Sequence, residues 1–294
     1  MGDPVVVGVD GSASSLEAVG VAAHEAGLRD VGLRLVHAFG SPSMRLPPGG
    51  PRWSPAMAGV RELVDGTLAR AEQRAHAAAP HVEITRDVTV GEPLTVLEIE
   101  SRTASLVVVG SRGRGAFASL LLGSTAVHLA GYSRCPVLVV RGRPDPGGPV
   151  LLAADGSPAG EPAVAFAFTE ASLRGTGLVA LHVWNTWTER SAEGPVDPLN
   201  VVTDAEHLRE KAQRLLDDTL SPWQRRFPHV GVEKRLVRSR VRPALIEASR
   251  DAQLVVAGAR GHGGFTGLVL GSVSQALLHH AHCPVAVVRG EERS

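Results

Sequence analysis

Short β-branched runs alternate with longer stretches whose apolar residues recur at helical spacing, and the alternation continues along most of the chain. Val5–Val9 is apolar throughout, which suits a strand buried on both faces. Residues 13–27 place alanines and aliphatics three and four apart, the period of a helix. Leu33–Ala38 predicts a second strand. After a loop rich in proline and glycine, 56–79 predicts a long helix and Val82–Val88 a third strand. Residues 92–103 predict a helix, Leu106–Val109 a fourth strand, Ser124–Tyr132 a helix and Val137–Arg141 a fifth strand. Strands separated by helices lie parallel, and right-handed crossovers place those helices on both faces of the sheet.

The pattern is written twice. VVVGVDGS (5–12) returns as VLLAADGS (150–157), and LRLVHAF (33–39) as LVALHVW (178–184), both at an offset of 145. ASLVVVGSRGRG (104–115) returns as AQLVVAGARGHG (252–263), and CPVLVVRG (135–142) as CPVAVVRG (283–290), both at 148. The unchanged order marks a tandem duplication with a net three-residue insertion inside the second copy. The expected organisation is a first domain at 1–142, a linker at 143–148 and a second domain at 149–294, each a doubly wound α/β unit. The linker lies in RGRPDPGGP (141–149), whose residues break helices and strands.

Composition narrows the partners. The formal net charge is zero, whereas nucleic-acid and anionic-membrane binders usually carry a basic excess. Only Lys211 and Lys234 are lysines; the remaining cations are arginines. Cys135 and Cys283, each before a proline, read as small buried apolar residues rather than as a metal site or a disulfide framework. The N-terminus enters a strand at once, with no charged stretch ahead of a long apolar one, and no run of about 18 apolar residues occurs. A soluble cytoplasmic chain is expected.

The candidate chemistry lies in GSRGRGAFASLLLGS (110–124) and GARGHGGFTGLVLGS (258–272). Each begins at the carboxyl end of a fourth strand, where open parallel sheets bind ligands. Gly110 and Gly113, like Gly258 and Gly261, are expected to allow positive φ and to bring main-chain N–H groups close to a ligand. Gly123 and Gly271 precede the next helix, whose N-terminus offers unpaired donors and the positive end of its dipole. Ser124 is expected as its N-cap or as a hydroxyl donor. These parts make an anion cradle suited to phosphates. It is no Walker loop, because no Gly-Lys pair exists and the first half has no lysine. Arg112, Arg114, Arg260 and His262 are the cations at hand.

Asp10 and Asp155 end the first strand of each half, each followed by Gly-Ser. Such a carboxylate can accept from a ribose hydroxyl or an adenine amine, or serve as a turn or cap residue. His37 and His182 read as structural, and their neighbours Ala38 and Val183 as backbone partners for an adenine edge. The tract HHAH (279–282) has no duplicate in the first half and reads poorly as a metal site.

The set G-x2-G-x9-G-[S/T], the VDGS start, the LVHA strand and the CPVxVVR finish resemble the universal stress protein family, in the tandem two-domain form common in actinobacteria. The resemblance covers essentially the whole chain. It implies a Rossmann-like, adenine nucleotide alpha hydrolase-like fold with a five-stranded sheet in order 3-2-1-4-5. It further implies a site between the first and fourth strands, and fifth strands that pair across a homodimer or an intrachain pseudo-dimer. Adenine would lie near Val9, Asp10 and Ala38, and near Ala154, Asp155 and Val183. Phosphates would meet the glycines with Ser124, Thr125 and Ala126, or with Ser272, Val273 and Ser274. The copies differ after the last glycine, Ser-Thr-Ala against Ser-Val-Ser, and before the third helix, Gly91 against Ser239.

The function implied is an ATP-binding regulator of stress response or growth, with or without Mg²⁺, acting through association with itself or with a protein partner. Neither nucleic acid nor membrane is expected as a partner. The rival readings are a slow ATPase or nucleotidyl transferase, a flavin module, for which aromatic rings are scarce, and a scaffold that binds no nucleotide.

Overall fold

The computed structural model describes residues 2–39, 55–113, 123–184, 201–261 and 269–290, with backbone alone at 55–58, 60 and 201–205. The chain forms two compact units, Met1–Val140 and Arg141–Ser294. The first holds β1 (Val5–Gly8), α1 (Ala13–Arg29), β2 (Leu33–Phe39), α2 (Pro55–Ala78), β3 (Ile84–Val90), α3 (Pro93–Glu100), β4 (Leu106–Gly110), α4 (Ser124–Tyr132) and β5 (Val137–Val140). The second holds β6 (Val150–Ala153), α5 (Glu161–Leu173), β7 (Leu178–Trp184), α6 (Val201–Arg226), β8 (Val232–Arg238), α7 (Val241–Ala248), β9 (Leu254–Gly258), α8 (Ser272–His280) and β10 (Val285–Val288).

All strand pairs within each unit are parallel, in the orders β3-β2-β1-β4-β5 and β8-β7-β6-β9-β10. The expected doubly wound order 3-2-1-4-5 is therefore present in both units. Val5, Val6 and Val7 of β1 are wholly buried, as are Val107 and Val108 of β4 beside them. Burying each such side chain contributes roughly 1.5–3 kcal/mol, so the central strands anchor each unit. Helices α1 and α2 pack together, as do α3 and α4, and right-handed crossovers put these pairs on opposite faces.

Element boundaries moved where a local bond competed. The third strand runs Ile84–Val90 rather than Val82–Val88, because Val82 donates its N–H to Ala79 O (3.2 Å) in a turn after α2. Helix α3 stops at Glu100 rather than at 103, because the Ser101 hydroxyl donates to Glu98 O (2.7 Å) and begins a turn. Helix α1 extends to Arg29 and closes on Asp30, a left-handed residue at φ 53°.

The segment after Arg141 is bonded to the second unit. Arg143 N–H donates to His282 O (2.8 Å), and Asp145 N–H to Ala252 O (3.3 Å). Gly148 O accepts from the Gln253 side chain (2.6 Å) and the Thr176 hydroxyl (3.2 Å). Proline and glycine here end regular structure without leaving the backbone unpartnered.

Candidate functional site

In each unit the winding reverses between β1 and β4, or between β6 and β9, the place where open parallel sheets bind ligands. Pairing runs Val5↔Leu106 to Val7↔Val108 and Val150↔Leu254 to Leu152↔Val256. Each first strand then ends, while the fourth continues to Gly110 or Gly258.

The carboxylates come next in the chain. Asp10 Oδ1 accepts the Ser12 N–H at 2.9 Å, and Asp155 Oδ1 accepts the Ser157 N–H at 2.9 Å. In these two Asx turns the central residue is left-handed, and Gly11 (φ 79°) and Gly156 (φ 73°) take that conformation without the steric cost of a side chain. The cap itself belongs to the serines: Ser12 Oγ accepts the Ser15 N–H (3.1 Å), and Ser157 Oγ accepts the Gly160 N–H (3.1 Å). Of the two expectations for Asp10 and Asp155, turn residue therefore holds and helix cap does not. Their other oxygen faces the motif's second glycine, since a Cβ on Gly113 would stand 2.9 Å from Asp10 Oδ2 and one on Gly261 closer still to Asp155 Oδ2.

The expectation of positive φ at Gly110, Gly113, Gly258 and Gly261 is corrected. None of the four is among the positive-φ residues. Space is what excludes a side chain. A Cβ on Gly110 would meet Ser14 Oγ at 2.5 Å and Ser14 O at 2.7 Å, where α1 crosses the end of β4. At Gly258 the nearest atom is Arg260 O at 3.0 Å, a looser fit.

Helices α4 and α8 begin on Gly123 and Gly271, whose φ of −73° and −71° with extended ψ identify them as the N-caps. Ser124 is thus the first helical residue, not the cap. Each cap glycine is tied down by its own N–H, to Ser111 O or Ala259 O, both at 2.8 Å. Neither cap supplies a side-chain bond to the helix. The N–H groups of Ser124, Thr125 and Ala126, and of Ser272, Val273 and Ser274, open the two helices without intrahelical partners. The side chains contribute unequally. Ser124 and Ser272 are exposed, Ala126 is buried, and the buried Ser274 hydroxyl donates to Gly258 O at 2.6 Å. Ser274 therefore fastens the first turn of α8 to the end of β9, leaving its backbone N–H as its offer to an anion.

The second and seventh strands overrun their neighbours. Val36 O accepts the Val9 N–H, and Leu181 O accepts the Ala154 N–H. Backbone groups alternate sides along a strand, so those of Ala38 and Val183, two residues on, point the same way, past the ends of β1 and β6. His37 Nδ1 lies 2.7 Å from Val9 O, and His182 Nδ1 lies 2.8 Å from Ala154 O. A carbonyl only accepts, so Nδ1 carries the proton in both rings. Each histidine braces a strand end, which agrees with a structural reading. Arg112 and Arg260 are exposed beside the second glycines, with Arg112 N–H 3.4 Å from Ser14 Oγ. Arg114 and His262 lie outside the described residues.

Two features escaped the sequence reading. Gly11 and Gly156 did leave a signal, since DGS occurs twice and Asp-Gly marks a turn. Ser14 left no signal, because the second copy has Ala159. Among the described residues no group of three or more His, Cys, Asp or Glu is arranged to hold a metal ion. Among them, too, no helix is long and apolar enough to cross a membrane.

The universal stress protein family's sequence profile matches residues 1–141 and again 148–289. A universal stress protein of Mycolicibacterium smegmatis is 40% identical over 297 residues, spanning 97% of this chain and 96% of that protein. One from Mycobacterium tuberculosis is 39% identical over 308 residues, spanning 97% and 94%. The crystal structure of a universal stress protein from Archaeoglobus fulgidus superposes with a TM-score of 0.67 at 17% identity, covering 98% of this chain and 99% of that one, a likeness of fold. The chain belongs to the universal stress protein family and carries two of its domains in tandem.

Proposed function

We propose that each unit binds one adenine nucleotide, ATP with or without Mg²⁺, and that occupancy regulates stress response or growth by changing association with a protein partner or a second copy of the chain. The observation that carries this reading is a cradle built twice. In each unit an aspartate held by an Asx turn faces a glycine whose Cβ would collide with it, beside a glycine-capped helix N-terminus. A Cβ-free wall and inward backbone donors fit a phosphate chain.

In this reading the backbone of Ala38 or Val183 meets the adenine edge beyond Val9 or Ala154. Asp10 or Asp155 accepts from a ribose hydroxyl. The N–H groups of the two helix starts take the phosphates, with Arg112 or Arg260 adding charge from the rim. Mg²⁺, travelling with the nucleotide, would neutralise part of the phosphate charge. A cytoplasmic setting goes with this reading. Nucleotide acts through linkage: a ligand that prefers one conformation biases the equilibrium toward it.

The test is to purify the protein without added nucleotide, denature it, and quantify released nucleotides by chromatography and mass spectrometry, then repeat with Gly113→Val and Gly261→Val. Two adenine nucleotides per chain, falling to one in each variant, are expected. None, with no binding on adding ATP, would return the chain to the scaffold reading. Turnover lost in Asp10→Ala and Asp155→Ala would favour the enzyme reading instead.

A further inference from the structure

Helix α8 has nine residues, so about 13 Å separates its two ends. Its first turn belongs to the second unit's cradle, fastened by Ser274 to Gly258 O. Its last turn is gripped by the segment through which the chain enters the second unit. The Arg141 guanidinium donates to Leu277 O at 3.0 Å and to Leu278 O. Gly142 then takes φ 60° with its Cα against His282 O, where a Cβ would collide with that carbonyl. Arg143 N–H closes the grip on His282 O. The residue just beyond α8, Ala281, bonds back to Leu277 O, and His282 N–H donates to Ser249 Oγ (2.9 Å). A cation on the C-terminal carbonyls and an anion at the N-terminus act on the same helix dipole with the same sign.

The grip is poised rather than locked. Arg141 is partly buried, and its Nε is enclosed without a hydrogen-bond partner. Burial pulls the guanidinium below its ordinary range. His279, in the last turn of the helix, is held down by burial, by His280 and by Arg141. A partly desolvated guanidinium and an orphaned donor therefore work against a contact that the helix carbonyls favour.

We propose that α8 couples nucleotide occupancy of the second unit to docking of Arg141–Arg143, making the segment that enters this unit an output of its site. The inference rests on the nucleotide reading above and names its regulation. A helix this short moves as one piece, so a phosphate that orders its first turn also orders the carbonyls that receive Arg141. Linkage makes the effect reciprocal: loosening Arg141 weakens the nucleotide by the same factor.

Trypsin reads the docking directly. Cleavage after Arg141 needs the segment released, whereas Arg143 precedes Pro144 and resists the enzyme. With the full chain, saturating ATP is expected to slow cleavage at Arg141 by about fivefold, the lower end of ordinary coupling. The exposed Arg226, in the second unit, serves as an internal reference for general unfolding. Protection should persist in Gly113→Val and vanish in Gly261→Val. In a Gly113→Val background, Arg141→Lys, which keeps the tryptic site, should weaken ATP binding about fivefold by calorimetry. Unchanged cleavage while dialysis shows ATP on the second unit would overturn the coupling and leave the nucleotide reading standing. Protection that survives Gly261→Val would overturn it too. ATP bound by neither unit would remove both.

Discussion

Two glycines at the same place in the motif are held by different forces, so one substitution should have two outcomes. Gly110→Ala puts a Cβ 2.7 Å from Ser14 O and 2.8 Å from Ser14 C, backbone atoms in the first turn of α1. Relief to ordinary contact at about 3.4 Å needs β4 and α1 to part by about 0.7 Å, and interiors resist such shifts at roughly 1–3 kcal/mol. Gly258→Ala meets a loop carbonyl at 3.0 Å and needs about half that movement, with no helix in the way. For a unit of this size, about 2 kcal/mol lowers the melting temperature by roughly 5–10 °C. Gly110→Ala should therefore show a drop of that size, and Gly258→Ala a drop of about 2 °C or less. The assay is thermal unfolding of the full chain, with hydrogen exchange on β1 and β4 peptides to assign the loss to the first unit. Adding Ser14→Ala removes the hydroxyl contact but not the backbone ones, so it should restore only a minor part. Equal shifts from the two alanines, or a Gly110→Ala protein as stable as its parent, would refute the packing argument and leave ligand access as the reason for both glycines.

Two further outcomes follow from buried groups. Glu170, 1% exposed, pairs with Arg174, the residue that caps α5 one turn on, and Glu170→Gln should cost about 3 kcal/mol by leaving that guanidinium under-compensated, read as a lower denaturant midpoint at unchanged slope. Burial raises the Cys135 thiol to about 11 and the Cys283 thiol to about 12, so both should resist a thiol reagent at pH 8 until the protein is denatured. Because the folded state keeps these protons longer than the unfolded chain, stability should fall as pH rises above the ordinary thiol value of 9.0. Rapid native labelling at pH 8 would count against the burial of both.

The doubly wound fold was legible because its evidence is local and repeated. A β-branched run such as Val5–Val7 can hardly be anything but a buried strand, and finding its counterpart at Val150–Ala153 turned a pattern into an architecture. The copy also marked the candidate cradle: one glycine set is a weak signal, whereas two sets at matched spacing follow matched strands, one in each unit. The same repetition marked Asp10 and Asp155, each in a DGS turn.

What the sequence by itself determined, then, is the order of elements, the tandem division and the residues that gather where the winding reverses, because hydrophobic period and repetition are properties of the chain read along its length. The tertiary structure alone decided why those residues are what they are. Gly110 is glycine because α1 passes within a Cβ of it, a neighbour 96 positions away in the chain; the positive φ expected there belongs instead to Gly11. The Ser274 hydroxyl became a fastener because Gly258 O lies within reach, which leaves that residue its backbone N–H for an anion. Arg141 acquired a role only when the carbonyls of α8 closed around it. Contacts between distant segments depend on how far two packed elements approach each other, and no local pattern encodes that distance.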